Sequence, residues 1–357
     1  MKHSRLASHV RQLCSLGLDP AIVVPRVVEG VRRIAGADWG MFFFADDEGN
    51  LTDLHCENAE IFALLPRMLA HRHDPPEREI FGLDFKTFMA RGRGWENTVS
   101  YDARLLASST FDEWWRPLGM RHSIEITTVD GASGRGCGCL QLSRDRTCRP
   151  FSDDDRASIV ALGRHIAHAL QAPRAVAPDY SQRATAGTMI VDRRGKIVMT
   201  DCHAASLLAL ADNRPLMSAK LDPLTLPAWL TPVLHRLNDI HEERDTLPPR
   251  IQHTNAAGRF VFRAYRLQDL ASDSDAGLIA IYLQHHLPLA LAMESSTFTM
   301  GLSAQQRRVC AEAVTGASYS QIGIRLAIKE STVVDHMRRT YETLRVHSLD
   351  ELKQKIA

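Results

Sequence analysis

Two arginines, Arg338 and Arg339, follow a pair of hydroxyl residues, Ser331 and Thr332, in a stretch where Val333, Met337, Thr340 and Leu344 recur at i, i+4, i+7 and i+11. That period puts the four on one face of an α-helix, turned toward a core. The opposite face then exposes Ser331, Val334, Asp335, Arg338, Glu342 and Arg345, with Thr332 and Arg339 flanking it. Such a face suits a nucleic-acid groove: guanidinium groups meet phosphates or guanine edges, and hydroxyls near the helix start meet phosphate. Asp335 and Glu342 work against a uniformly basic surface. A solvated face on an ordinary helical domain fits the same pattern, so the face alone leaves both readings open.

Elsewhere the reactive residue types occur only as fragments. His71-x-His73-Asp74 and His165-x-x-His168 offer metal-ligand chemistry, but neither has further ligands at a spacing that completes a site, and surface or capping roles fit better. Seven cysteines stand at positions 14, 56, 137, 139, 148, 202 and 310, without the C-x-x-C pairs of a zinc site. Cys137 and Cys139 would share one face of a strand, which suits small buried residues better than a redox or metal pair. Gly134-x-Gly136-x-Gly138 is not followed by a helix start, so it reads as turn and strand and not as a dinucleotide loop. Neither Gly-x-Ser-x-Gly nor a nucleotide-hydrolase phosphate loop is present. The expectation is therefore no catalytic set, no metal and no cofactor.

The arginine-bearing helix needs neighbours to hold it. Residues 302–352 contain three Ser-x-x-Glu/Gln patterns, Ser303/Gln306, Ser318/Gln321 and Ser348/Glu351, each the signature of a helix start. Gly316 stands where the first helix should stop. The order that follows is helix 303–314, helix 319–326, a tight turn at Ala327-Ile328-Lys329, a longer helix 331–344 and a closing helix 349–356. Two short helices joined by a tight turn make a helix-turn-helix. Charge divides in the same place: residues 299–357 hold nine Lys/Arg against six Asp/Glu, whereas the rest holds 34 against 36. The whole-chain net charge of +1 averages over the two.

Upstream of this tail, 357 residues leave room for two or three domains in all. No apolar run approaches the ~18–20 residues of a membrane helix, and Met1 to Leu13 lacks the apolar core of a secretory signal. A cytoplasmic chain with no membrane partner is expected. Helical periodicity covers residues 3–16 and 20–35, then an alternating run 39–44, the turn Asp46 to Asn50 and a strand 51–56 form a hairpin. A helix around 58–70, a second antiparallel pair over 123–129 and 137–143, and a helix capped by Ser152 complete the first unit. Ala172 to Pro178 reads as a linker. The run Gly187 to Met199 reads as strand, Asp-Arg-Arg-Gly turn and strand, followed by a helix at 203–211 and strands 260–265 and 277–283. A break at Glu294-Ser-Ser-Thr297 precedes the tail.

The first unit, residues 1–171, resembles a GAF domain in its order of helix, hairpin, variable middle, late hairpin and long last helix. The second, residues 180–287, is similar to a PAS domain through "IVDRRGKIVMTD" and its closing strand pair. Both resemblances imply sensor modules that enclose a ligand or dimerise. Trp39, Phe42, Phe44, Tyr101, Trp114 and Trp115 are candidates to line a pocket, and equally to be core residues.

The tail, residues 298–357, carries the most specific resemblance. Leu302-Ser303, Ala313-x-x-Gly316-x-Ser318-x-x-Gln321-Ile322, Leu326-x-Ile328, Thr332-Val333-x-x-His336, Leu344-x-Val346 and Glu351-Leu352 match the LuxR-type (NarL-like) DNA-binding domain. It departs from the family at four places. Gln305-Gln306 replace the usual Arg-Glu, Lys329 replaces the Ser that starts the recognition helix, Val334 replaces a Lys, and Arg345 replaces a Gly. The resemblance implies an α+β multidomain regulator ending in an all-α, four-helix reader of double-stranded operator DNA. Lys329, Ser331, Thr332, Val334, Asp335, Arg338 and Arg339 would sit at the interface, and a homodimer would face two half-sites. A small molecule or protein would act on the sensor modules. An alternative keeps those modules as a scaffold that the tail only localises on DNA; another makes the first unit an unrecognised enzyme. The acyl-homoserine-lactone regulators place one sensing domain before such a tail, and this chain is longer and differently divided.

Overall fold

The computed structural model describes residues 2–58, 60–64, 85–92, 96–99, 106–109, 111–145, 147–171, 179–215, 225–244, 246–269, 274–296 and 301–356. The chain divides into two compact units, Met1–Arg174 and Ala175–Ala357. The linker read at 172–178 lies outside the described residues, as do His71, His73, Asp74, Tyr101 and most of the helix expected over 58–70.

In the first unit, α1 (Lys2–Cys14) and α2 (Pro20–Ala35) precede β1 (Trp39–Ala45) and β2 (Leu51–Cys56). Then come α3 (Phe85–Arg91), β3 (Glu96–Val99), a π-helical turn at Phe111–Trp115, β4 (His122–Val129), β5 (Gly136–Arg144) and α4 (Asp153–Gln171). The five strands form one antiparallel sheet in the order β2-β1-β5-β4-β3. Asp19 accepts from the Ala21 amide at 2.8 Å, Pro20 opens α2, and Gly36 closes it in the left-handed conformation, φ 61°. Between these stops Val23, Val24, Val27, Val28 and Val31 are buried.

One buried side chain ties this unit together. Arg144, 3% exposed at the end of β5, donates to the carbonyls of Ala35, Gly36, Arg149 and Pro150 and to Asp155 in the first turn of α4. Its guanidinium also lies 4.0 Å from the ring centroid of Phe151.

The second unit opens with β6 (Tyr180–Asp192), β7 (Ile197–Thr200), α5 (Ala204–Ala211), α6 (Pro232–His241), β8 (Arg250–Asn255), β9 (Gly258–Asp269) and β10 (Ser274–Pro288). Its sheet runs β7-β6-β10-β9-β8, the same order relative to the chain as in the first unit. Phe260, Phe262, Ala264, Ile281 and Leu283 are buried on one face. A Cβ at Gly187 would lie 2.8 Å from the Ala204 backbone, so glycine there lets α5 approach the sheet. The strand β8 and the helix α6 were not expected from the sequence.

Helices α7 (Leu289–Ser295), α8 (Ala304–Val314), α9 (Tyr319–Leu326), α10 (Glu330–Leu344) and α11 (Leu349–Ile356) complete the unit. A helix not expected from the sequence, α7, begins directly after Pro288 and takes in Glu294 and Ser295, the first two residues of the break read at 294–297; Ser296 is extended, and 297 lies outside the described residues. Proline ends the strand and leads into the helix because it has no amide to donate. The Leu289 amide donates to the Asp179 carbonyl at 3.0 Å. Described residues include no helix long and apolar enough to cross a membrane.

Candidate nucleic-acid interface

Two of the three expected caps form in full. Ser303 Oγ accepts from the Gln306 amide and Gln306 Oε1 from the Ser303 amide, at 3.2 and 2.8 Å. Ser318 and Gln321 repeat this at 3.3 and 2.9 Å. Gln306 thus fills the role expected of the family's Glu. At α11 the pattern is altered: Ser348 Oγ accepts from the Glu351 amide, but Glu351 reaches one residue further back, to the His347 amide at 2.8 Å.

The turn between α9 and α10 is set by close backbone contact. A Cβ on Gly323 would lie 2.8 Å from the Ile328 carbonyl oxygen, and Ala327 takes a left-handed conformation, φ 52°. Lys329 occupies the N-cap of α10 and makes no side-chain cap bond there, the local consequence of lacking a serine. At the far end Arg345 closes α10 at φ 52°.

Val333, Met337, Thr340 and Leu344 are buried, as the period required. Val333, Met337 and Leu344 join Leu302, Val309, Cys310, Ala313, Ile322, Val346 and Leu352 in one cluster. Glu312 on α8 pairs with Arg325 on α9 at 2.6 Å, bracing the two short helices. With its core face so held, α10 presents Ser331, Val334, Asp335, Arg338 and Arg339 to solvent, and Lys329 is exposed at its start. Thr332 is half-buried. Val334, where the family has Lys, is 45% exposed. Asp335 Oδ1 lies 3.6 Å from an Arg338 guanidinium nitrogen, so the acid moderates its neighbour's charge in the free protein.

Sequence reading missed how this module is joined to what precedes it. Leu289 and Met293 of α7 belong to the same buried cluster as α8 and α10. Glu294 and Arg307, both buried, pair at 3.3 Å between α7 and α8. The spacing of Leu289 and Met293, i and i+4, was the available signal.

Of the six aromatic candidates, Tyr101 lies outside the described residues. Phe42 and Phe44 stack edge to face at 5.0 Å. They share a strand face with Gly40, whose added Cβ would meet Val28 of α2 at 2.7 Å, so that face is the one covered by helices. Strand alternation puts Trp39 on the other face. Phe43, on that same face, packs with Phe85, Phe88, Met89 and Cys139. Trp115 is half-buried and Trp114 lies in the π-helical turn. Burial pushes the Cys139 thiol well up and the Cys137 thiol up, opposite to the direction a reactive thiolate needs. His165 lies on α4, where burial and then Arg164 lower its pKa.

Two short helices, a tight turn and a third helix with an exposed cationic face define a helix-turn-helix DNA-binding domain. Residues 300–355 match the family model described as "Bacterial regulatory proteins, luxR family". The C-terminal domain belongs to that family, and the chain therefore carries the DNA-binding module of a bacterial transcription regulator. No curated protein matches the chain.

Three solved structures illustrate the likenesses found. The GAF domain/HD domain protein of Geobacter sulfurreducens is 16% identical, over 43% of this chain and 92% of that one, with a TM-score of 0.28. The N-acylhomoserine lactone dependent LuxR family transcription factor CepR2 of Burkholderia cenocepacia is 11% identical, over 48% and 94%, at 0.32. SdiA of Escherichia coli is 11% identical, over 91% and 88%, at 0.28. The α+β architecture rests on the strand pairing of the two sheets.

Proposed function

We propose that the chain is a cytoplasmic, signal-responsive regulator that reads operator DNA with α10. The exposed face of α10, set on a buried core and carrying Arg338 and Arg339, is the observation that supports this reading. In the major groove, Arg338 and Arg339 would meet phosphates or guanine edges. Thr332 and Ser331, at the amino end, would meet phosphate with the help of the helix dipole. Asp335 would accept from a cytosine amino group or turn away a wrong base, and Lys329 would add a backbone contact. Val334 offers a thymine methyl an apolar partner where the family offers a charge.

Two copies of the chain would place two such helices on half-sites one helical turn apart. The GAF-like first unit and the PAS-like sheet would act as sensors, shifting the population of arrangements in which both readers engage DNA. Genome-wide footprinting of the full chain tests the reading. Reproducible protected sites with a shared two-fold repeat are expected. Light scattering on the recovered fragments should give two chains per site, and one chain per site would contradict the dimer.

A further inference from the structure

The sheet of the second unit buries one face. Phe262 and Ala264 of β9, with Ile281 and Leu283 of β10, are buried on the side where α5 approaches Gly187, the register partner of Leu283. Strand alternation turns the residues between them to the opposite face. There Met199, Ile190, Ala280 and Tyr265 stand side by side across β7, β6, β10 and β9, each the register partner of the next. Met199 is 61% and Tyr265 51% exposed, and Ile190 and Ala280 between them are half-buried. One exposed apolar residue needs no explanation, but a continuous row across four strands marks a surface that something covers.

Charge enters this face only toward its edges. Beside the apolar row run Thr188, Tyr282, Arg263 and Arg250, again as register partners. The two arginines stand together on β9 and β8, and Arg263 donates to Gln284 at 2.6 Å. At the other edge Asp201 is exposed and accepts from the Thr188 amide. The face thus has an apolar row, a cationic edge and an anionic edge.

We propose that a second copy of this chain covers this face, sheet on sheet, about a two-fold axis that runs along the strands beside Ala280 and Tyr282. The proposal rests on the reading of the regulator as a dimer and names the surface on which its copies meet. Stacked sheets pack about 10 Å apart with their strands within about 30° of parallel. The axis turns β7 of one copy over β8 of the other. The apolar rows then meet, Ile190 against the partner's Tyr265, while Arg263 and Arg250 come over the edge that carries Asp201. One patch is therefore complementary to itself, as a two-fold interface requires. Its size is sufficient. Five strands spaced ~4.8 Å span about 20 Å, and β6, β9 and β10, of 13, 12 and 15 residues, run about 40 Å at ~3.3 Å per residue. The product, about 800 Å², is what each partner gives to a standard interface.

Sedimentation equilibrium of the full chain without DNA, for wild type, Met199→Asp and Tyr265→Asp, tests the surface. A wild-type dimer is expected, with its dissociation constant raised at least about thirtyfold in each variant, the loss typical of an interface anchor. Both residues are more than half exposed, so the variants keep the fold, and circular dichroism melting checks this. Ile240→Asp, at an equally exposed apolar position on α6 outside the sheet, should leave the dimer unchanged. A wild-type dimer that survives both sheet substitutions, or one that Ile240→Asp weakens as much, overturns this surface and leaves the dimer reading intact. A monomeric wild type overturns the surface and leaves the face to a different partner; the number of chains on operator fragments then decides the dimer reading separately.

Discussion

Glu294 and Arg307 form a buried ion pair, 3.3 Å apart, between the helix that continues β10 and the first helix of the DNA-binding domain. Arg307 also donates to the Leu302 carbonyl at 3.0 Å. The reader is thus not hung on a loose tether: α7 contributes Leu289 and Met293 to its core, and the ion pair fixes the register between α7 and α8. Removing one partner leaves a buried charge, which costs about 3–5 kcal/mol. Glu294→Ala should lower the melting temperature of the full chain and weaken operator binding, whereas Glu294→Met with Arg307→Met should recover most of the stability. Thermal unfolding followed by circular dichroism checks both. Equal stability of the single and double variants would contradict the pairing.

A second prediction concerns acid. Burial, opposed only in part by a hydrogen bond to the Ala257 carbonyl, lowers the His285 pKa to about 4. In the unfolded chain it returns to about 6.5. The unfolded state therefore binds more protons, and stability is fully present above about pH 6.5 and lost as pH falls toward 4. The full effect is on the order of 3 kcal/mol. His55 in the first unit, also lowered to about 4 by burial and then by Arg26, acts in the same direction. Urea unfolding at pH 7 and pH 5 should show the loss, and His285→Gln should flatten it for the second unit.

Two departures from the family pattern predict stabilising changes. Arg345 pays the steric cost of a left-handed residue, roughly 1–2 kcal/mol, which glycine avoids at some entropic cost of its own. Arg345→Gly should gain about 0.5–1 kcal/mol. Lys329→Ser supplies the missing cap of α10 and should gain about 1 kcal/mol. Higher melting temperatures check both changes.

Arg144 predicts the opposite. Five acceptors converge on it, and no other side chain offers a planar fork that reaches them. Arg144→Met removes the shared donor of four carbonyl groups and leaves the half-buried Asp155 to Arg149 and the Ser152 amide alone, and should cost about 3 kcal/mol. Arg144→Lys keeps the charge but loses the fork, and should restore little of the stability. Chemical denaturation of the two variants checks this.

Legibility in the sequence followed locality. The bounds of α2, α9 and α11 could be read to the residue because each is punctuated within its own few positions, by Asp19-Pro20 and Gly36, by Ser318 and Ala327, and by Ser348. The buried face of α10 followed from period alone. β8 was invisible because Arg-Ile-Gln-His-Thr-Asn is an edge strand with alternating partial exposure and little apolar content. α7 was hidden because its seven residues are too few to show a helical period beside the strand they follow. Contacts between distant positions, such as Arg144 with Ala35, depend on strand order, which no local pattern encodes. The same holds for Trp39, Phe42 and Phe44 of β1, which divide between two faces according to which face the helices cover.

The central claim is that α10 reads DNA through its exposed arginines. The direct measurement is the affinity of the full chain for its own footprinted fragment across a range of salt, for wild type, Arg338→Ala and Arg339→Ala. Each variant should bind more weakly, and one that loses a phosphate contact should lower the log–log salt slope by about 1. Unchanged affinity and slope in both variants would contradict the account.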